Sequence, residues 1–218
     1  MSRFFASVLA LSVMAVGQAA VSFVGSKAEL DPHAKFDLAY SGRPGTTYAG
    51  SLWMVLHGDA GPAALSGTLT APGPFQRQDQ GNTWQGDFAS GEPIVWTAGH
   101  SNSFTFRTDK PMAGMGTYVS AAARGAYTAM IEAMDRDDHV LAAFTRDGFN
   151  DMMGDGDAPY LGVVSDSRNI QSIRLSIVGG GDLAISSVDV RPNPVPEPQL
   201  WAMASLGGVW WLRRRHIG

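Results

Sequence analysis

The sequence predicts an all-β fold, a sandwich or barrel of about ten short strands, and three observations carry that expectation. Short apolar stretches across residues 20–193 are punctuated by Gly, Pro, Asn and Asp. Many of them alternate polar and apolar residues with period two, which places one kind of side chain on each face of a strand. Only 17% of the 218 residues are charged, while glycine reaches 26 and proline 12, a balance that suits a β-rich exported protein better than a helical cytosolic one. The 44% hydrophobic content is enough to bury a core and excludes wholesale disorder, and the length allows one domain of ordinary size.

Ten segments read as strands in order: 51–58, 65–72, 93–100, 102–109, 116–123, 126–135, 139–147, 160–167, 173–180 and 183–190. In Ser103–Arg107, Phe104 and Phe106 share one face; Ile173, Leu175 and Ile177 do the same against Arg174 and Ser176. Trp53 and Trp96 fall inside such runs and are assigned to the core. Tyr127–Met134 followed by Asp135–His139 and Val140–Thr145 reads as a hairpin, since Asp tolerates turn geometry and hydrogen-bonds its own backbone. No long helical periodicity appears between the termini, although the Ala-rich Ser120–Arg124 would suit one helical turn. No internal repeat is visible.

Charge narrows the function classes. Of the sixteen basic residues, Arg3 and Arg213–Arg215 stand at the ends, and of the twenty acidic ones only Glu197 does; the body between is therefore strongly acidic, with no basic stripe for phosphates to contact. Nucleic acid is excluded as a partner on this ground, as is docking of the body on anionic lipid.

The two ends read as addresses. Residues 1–19 carry Arg3, an apolar run from Phe4 to Val16, then small Gly17 and Ala19 at the positions that signal peptidase requires, so a secretory signal helix cleaved after Ala19 is expected. The absence of cysteine means that stability outside the cell must come from packing or a bound ion. At the other end Pro194, Pro196 and Pro198 form an extended stalk, Leu200–Leu212 is apolar, Trp210 and Trp211 are residues of membrane interfaces, and Arg213, Arg214 and Arg215 make a positive stop. At ~1.5 Å per residue that apolar helix spans ~20 Å, short of a ~30 Å hydrocarbon core, and snorkelling arginines reduce the deficit.

Val195-Pro196-Glu197-Pro198, an apolar segment and a terminal Arg cluster together resemble a PEP-CTERM sorting signal; the same kind of segment is also called an ice-binding protein C-terminal domain. The resemblance covers residues 194–218. It implies recognition through Pro196, Glu197 and Pro198, retention through Arg213–Arg215, and processing by an exosortase after transient anchoring in the inner membrane of a Gram-negative bacterium. It further implies a destination at the cell surface or in an exopolysaccharide or biofilm matrix. Residues 116–190 are also similar in pattern to the jelly-roll-type β-sandwich of many PEP-CTERM proteins. Ice binding would require a flat threonine array, and Thr46, Thr47, Thr68, Thr70 and Thr105 show no repeat that would build one.

Four features within the body bear on chemistry. Residues 73–92 are polar and Gly-rich with Phe75, Trp84 and Phe88 interspersed; Trp84 and Phe88 could form an aromatic platform for a sugar, or the segment is an ordinary loop. Asp147–Asp157 is the densest run of oxygen ligands, and Asp151, Asp155 and Asp157 are candidates for Ca²⁺, with Asp182 or Asp189 as further ligands; a solvated acidic loop gives the same sequence, and the spacing is not that of an EF-hand. Gly99-His100-Ser101-Asn102-Ser103 resembles a nucleophile elbow, but a strand pattern follows where the elbow needs a helix. His33, His57, His100, His139 and His216 have no zinc spacing, and Glu92 with Glu132 is a glycosidase pair only if their separation allows it. No catalytic residue is assigned. The expectation is a non-enzymatic adhesion or polysaccharide-associated module, with a jelly-roll carbohydrate-active enzyme or a calcium-stabilised structural module as alternatives.

Overall fold

The computed structural model describes residues 20–58 and 65–194. The signal segment with Ala19, and the sorting segment with Pro196, Glu197, Pro198 and Arg213–Arg215, lie outside the described residues, as do both terminal helices expected from the sequence. No helix among the described residues is long and apolar enough to cross a membrane.

Fifteen strands form among the described residues, more than the ten expected. They are β1 (Val21–Val24), β2 (Ala34–Phe36), β3 (Thr47–Tyr48), β4 (Ser51–Gly58), β5 (Ser66–Thr70), β6 (Phe75–Asp79), β7 (Pro93–Trp96) and β8 (Ser103–Met112). They continue with β9 (Gly114–Ala121), β10 (Gly125–Met134), β11 (Val140–Asn150), β12 (Tyr160–Ser165), β13 (Ile170–Ile177), β14 (Leu183–Ile185) and β15 (Val188–Arg191). One turn of helix, α1 (Lys27–Leu30), is capped by the Ser26 hydroxyl, which accepts from the Glu29 N–H. The helical turn expected at Ser120–Arg124 does not form: Ser120 and Ala121 end β9, and residues 122–124 bend into β10.

Every strand pairing is antiparallel. The order β11-β10-β13-β8-β5-β4 forms one layer, and β4-β2-β15-β9-β14-β7-β6-β3 runs on as the other, with β12 pairing β9 and β1. β4 belongs to both layers: Ser51–Val55 pair with β5, while Leu56–Gly58 pair with β2. The sheet turns a corner within this one strand and closes over itself. Between the layers Phe36 meets Phe106 at 4.8 Å, and Phe75 meets Phe104 edge-on at 5.3 Å. Phe23 meets Phe144 at 5.7 Å on the opposite side, and the Tyr127 hydroxyl donates to the Val119 carbonyl at 2.9 Å. The result is a two-layer sandwich, in which one apolar face per sheet is removed from water by the other.

The expected alternation holds where it was clearest. Phe104 and Phe106 are fully buried, whereas Ser103, Thr105 and Arg107 face outward. The β10–β11 hairpin closes through Asp135, whose carboxylate accepts from the N–H groups of Asp137 and His139. Where the chain must pass close to a neighbour it uses glycine: a Cβ on Gly116 of β9 would lie 2.6 Å from the Tyr160 hydroxyl and 2.9 Å from the Gly162 backbone.

Candidate functional site

The aromatic residues exchange the places that the sequence suggests. Trp84 and Phe88 are buried (7% and 1% exposed) and pack on each other at 5.6 Å, with Ile94, Ala158 and Ala184 around them. They are satellite core and offer no platform to a sugar. The cause is local: Gly86 leaves the space that the Trp84 indole fills, since a Cβ there would lie 2.1 Å from its ring. Trp53, expected in the core, is 65% exposed. Trp96 is half-buried beside the same satellite cluster, with its indole N–H buried and donating to none of the described residues.

Trp53 faces out because its neighbour Met54 faces in, at 6% exposed. Asp37 caps the 3₁₀ turn Leu38–Tyr40 by accepting from the Ala39 N–H at 2.9 Å, and buried Leu38 anchors that turn, which leaves Tyr40 72% exposed. Trp53, Tyr40, Ser41 and Asp37 line an open cleft of about 270 Å³. Burial alone would raise the Asp37 pKa, but Lys35 at 2.7 Å, the Ala39 N–H and the Ser187 hydroxyl together hold it below the usual value, so the cleft keeps an ionised acceptor.

The strand register extends this surface. Trp53 stands opposite Thr68, and Thr68 opposite Arg107, so the three form one cross-strand row on the outer face. Thr68 and Arg107 also line a polar cleft of about 530 Å³ together with Lys110 and Arg136. Arg107 is held there by an ion pair with Asp138 and by donation to the Arg136 carbonyl at 2.7 Å.

A second cleft contains two carboxyl groups. Glu92 and Asp189 lie beside Lys27, Tyr118 and Ser186 in a space of about 120 Å³. Burial pushes both pKa values up; Lys27 counteracts this for Asp189 through a 2.7 Å contact, and for Glu92 the Ser186 hydroxyl and the Ala89 N–H do so, while Asp189 adds to the rise. Perturbed carboxyls in a cleft mark candidate active sites, but this space is smaller than the ~300 Å³ at which small-molecule sites begin. The pair considered from sequence is not formed: Glu132 sits on β10 in the other layer and binds Arg174 at 2.5 Å. The Ser101 hydroxyl donates to the Ser103 carbonyl in a turn that enters β8, not a helix.

The acidic residues also regroup. Asp151 and Asp155 do come together, but with Asp87 from the other loop: one carboxylate oxygen of each lies within 4.8 Å of the others. Asp157 is outside this group and is exposed. Asp182 and Asp189 are not further ligands, because Asp182 accepts from Thr97 and the Gly99 N–H, and Asp189 is engaged by Lys27. A second trio, Asp135, Asp137 and His139, lies in the exposed hairpin turn. Asp87 was invisible to spacing arguments because it lies more than sixty positions from its partners.

No family model and no curated protein matches this chain. Among solved structures, the CsCBM6-3 module of Clostridium stercorarium in complex with cellobiose is similar at 13% identity, over 52% of this chain and 86% of that one, with a TM-score of 0.30. PfGH50B aligns at 14% identity, over 57% of this chain and 23% of its own, with a TM-score of 0.28. The arabinose-bound MgGH51 α-L-arabinofuranosidase aligns at 12% identity, over 75% of this chain and 27% of its own, with a TM-score of 0.32. Likeness at this level carries no weight for fold or function, which rest on the chain's own geometry.

Proposed function

We propose that this chain is an exported, non-enzymatic β-sandwich module that associates with polysaccharide at the cell surface or in the extracellular matrix. The observation that carries the reading is the exposed Trp53 indole, flanked by Tyr40 and set in register with Thr68 and Arg107. A flat indole covers the apolar face of a sugar ring, and hydroxyl, carboxylate and guanidinium groups around it serve the ring's hydroxyls. The row runs across strands, so it suits a chain of sugars better than one ring. A jelly-roll-type wrapping of the two layers belongs to this reading, as does a structural calcium ion in place of disulfides.

Export rests on the two ends of the sequence. The signal segment up to Ala19 would be removed by signal peptidase, and Pro196–Pro198 with Arg213–Arg215 would hand the protein to an exosortase after a transient stay in the inner membrane. The wrong variant for this test is one that unfolds the body, so the changes belong in the tail. Replacing Glu197 and the three arginines should leave folding intact while the protein fails to reach the surface; fractionation showing an unchanged location rejects the sorting reading.

Saccharide association is tested separately, on a glycan array probed with the full-length protein. Binding to one or more polysaccharides is expected, and Trp53→Ala should weaken it about tenfold, equivalent to ~1.4 kcal/mol. Binding that survives Trp53→Ala unchanged, or no binding to any glycan, would sink the assignment.

A further inference from the structure

We propose that Asp87, Asp151 and Asp155 form a binding site for a divalent cation, calcium by its chemistry, that ties the loop before β7 to the loop after β11. The three carboxylates offer oxygens within 4.8 Å of one another. Two oxygens bound to one Ca²⁺ at 2.3–2.6 Å lie at most ~5 Å apart, so the spacing fits one coordination sphere.

An independent observation points to a ligand there. Asp87 is 1% exposed, and its two oxygens differ: Oδ1 accepts from the N–H groups of Asp151 and Met152, both at 3.1 Å, whereas Oδ2 is buried and accepts no hydrogen bond from any described residue. A buried carboxylate oxygen without a donor is costly, and a cation is the partner that removes the cost. A second acceptor in the same pair of loops, Gln80 Oε1, is likewise buried without a donor, while the Gln80 amide N–H donates to the Gly86 carbonyl at 2.8 Å.

The surroundings favour calcium over a smaller or softer ion. All three side chains are carboxylates, which select hard cations. The loop reaches its geometry through left-handed Met152, Gly154 and Gly156, a flexible frame that can adjust to the six to eight oxygens of calcium more readily than to the strict octahedron of magnesium. The loops are already joined by hydrogen bonds from the Gly154 N–H to the Gly86 carbonyl and from the Ala158 N–H to the Asp87 carbonyl. The cation would lock this junction, directly beside buried Phe88 and Ala158 of the satellite core. The inference rests on the proposed function only for its setting, since extracellular modules work at Kd values of 10⁻⁴–10⁻³ M.

The test is thermal unfolding of the full-length protein in EGTA and in calcium, with terbium luminescence as a direct binding signal. Calcium at about a hundred times its Kd should raise Tm by about 5–10 °C over the EGTA value. Asp151→Asn and Asp155→Asn, which change exposed or half-exposed residues and so should fold, should each remove most of that shift. Asp135→Asn, in the hairpin trio, should keep the full shift. The same Tm in EGTA and in calcium without a terbium signal overturns the site, and so does a shift that survives Asp151→Asn with Asp155→Asn. Glycan binding of the EGTA-treated protein is read in parallel, so loss of the cation site and loss of saccharide association are told apart.

Discussion

Replacing Phe106 with alanine should lower the unfolding free energy by about 3–5 kcal/mol, read from the midpoint and slope of a guanidinium titration. Phe106 is fully buried and meets Phe36 of the opposite layer at 4.8 Å. Its ring lies over Gly67 of the adjacent strand: a Cβ on Gly67 would stand 2.5 Å from the ring tip. Truncation therefore leaves a space that Gly67, with no side chain, cannot fill, and strands fixed on both sides by hydrogen bonds cannot collapse into it. Poor relaxation is what puts a large-to-small change at the upper end of its range. The comparison variant is Phe149→Ala: Phe149 is 62% exposed on edge strand β11, and its removal should change stability by less than about 0.5 kcal/mol. Equal losses for the two variants would contradict the packing described for β5 and β8.

Arg77→Met should cost about 2–4 kcal/mol and should also weaken binding at the Trp53 cleft. Arg77 is 5% exposed, and its guanidinium donates to the Leu38 carbonyl at 3.4 Å and to the Gln78 carbonyl at 2.6 Å, besides pairing with Asp79. Methionine keeps most of the volume and loses every donor. The Gln78 carbonyl and the largely buried Asp79 carboxylate then lose their guanidinium partner, which is where the cost of breaking a buried pair arises, and the Leu38 carbonyl keeps only the Ser41 N–H and hydroxyl. The Leu38 carbonyl belongs to the 3₁₀ turn that presents Tyr40, so the anchor of the cleft loosens with it. Denaturation and glycan affinity measured on one sample check both halves; a fall in stability with unchanged affinity would mean that the turn is held by Asp37 and Ser41 alone.

Arg77 also shows why part of the fold was hidden in the sequence. β6 reads Phe-Gln-Arg-Gln-Asp, yet Phe75, Arg77 and Gln78 are all buried, so two of its three buried residues are polar and period two gives no signal. β2, at three residues, is too short to show a period, and in β15 all four residues are buried, including Asp189, which stands opposite Lys35 of β2, and Arg191. By contrast β8 over Ser103–Thr108 and β13 over Ile173–Ile177 alternate, because there one face lies in the core and the other is more exposed. The exchange of Trp53 and Trp84 has a related cause. Leu52-Trp53-Met54-Val55-Leu56 is apolar on both faces, so composition cannot tell which phase points inward; Met54 does. Trp84 is buried by Ile94, Ala158 and Ala184, residues that only the folded chain brings to it. The acidic run was legible as a cluster, but Asp87, its buried member, comes from a segment that looked like an unremarkable polar loop.

β1 pairs with β12, Val21 opposite Ser165, and β2 pairs with β15, Val188 opposite Phe36. These early strands thus wait for partners that lie far along the chain. Loop closure over such separations makes this a topology of slow assembly, in the millisecond-to-second regime of non-local β-proteins. Until Val188–Arg191 has been delivered, β9 lacks one neighbour and Leu30 lacks the Arg191 guanidinium that binds its carbonyl at 3.2 Å. A chain cut anywhere before this seam would carry an open, adhesive edge along β9, so the last described strand acts as the latch of the whole assembly.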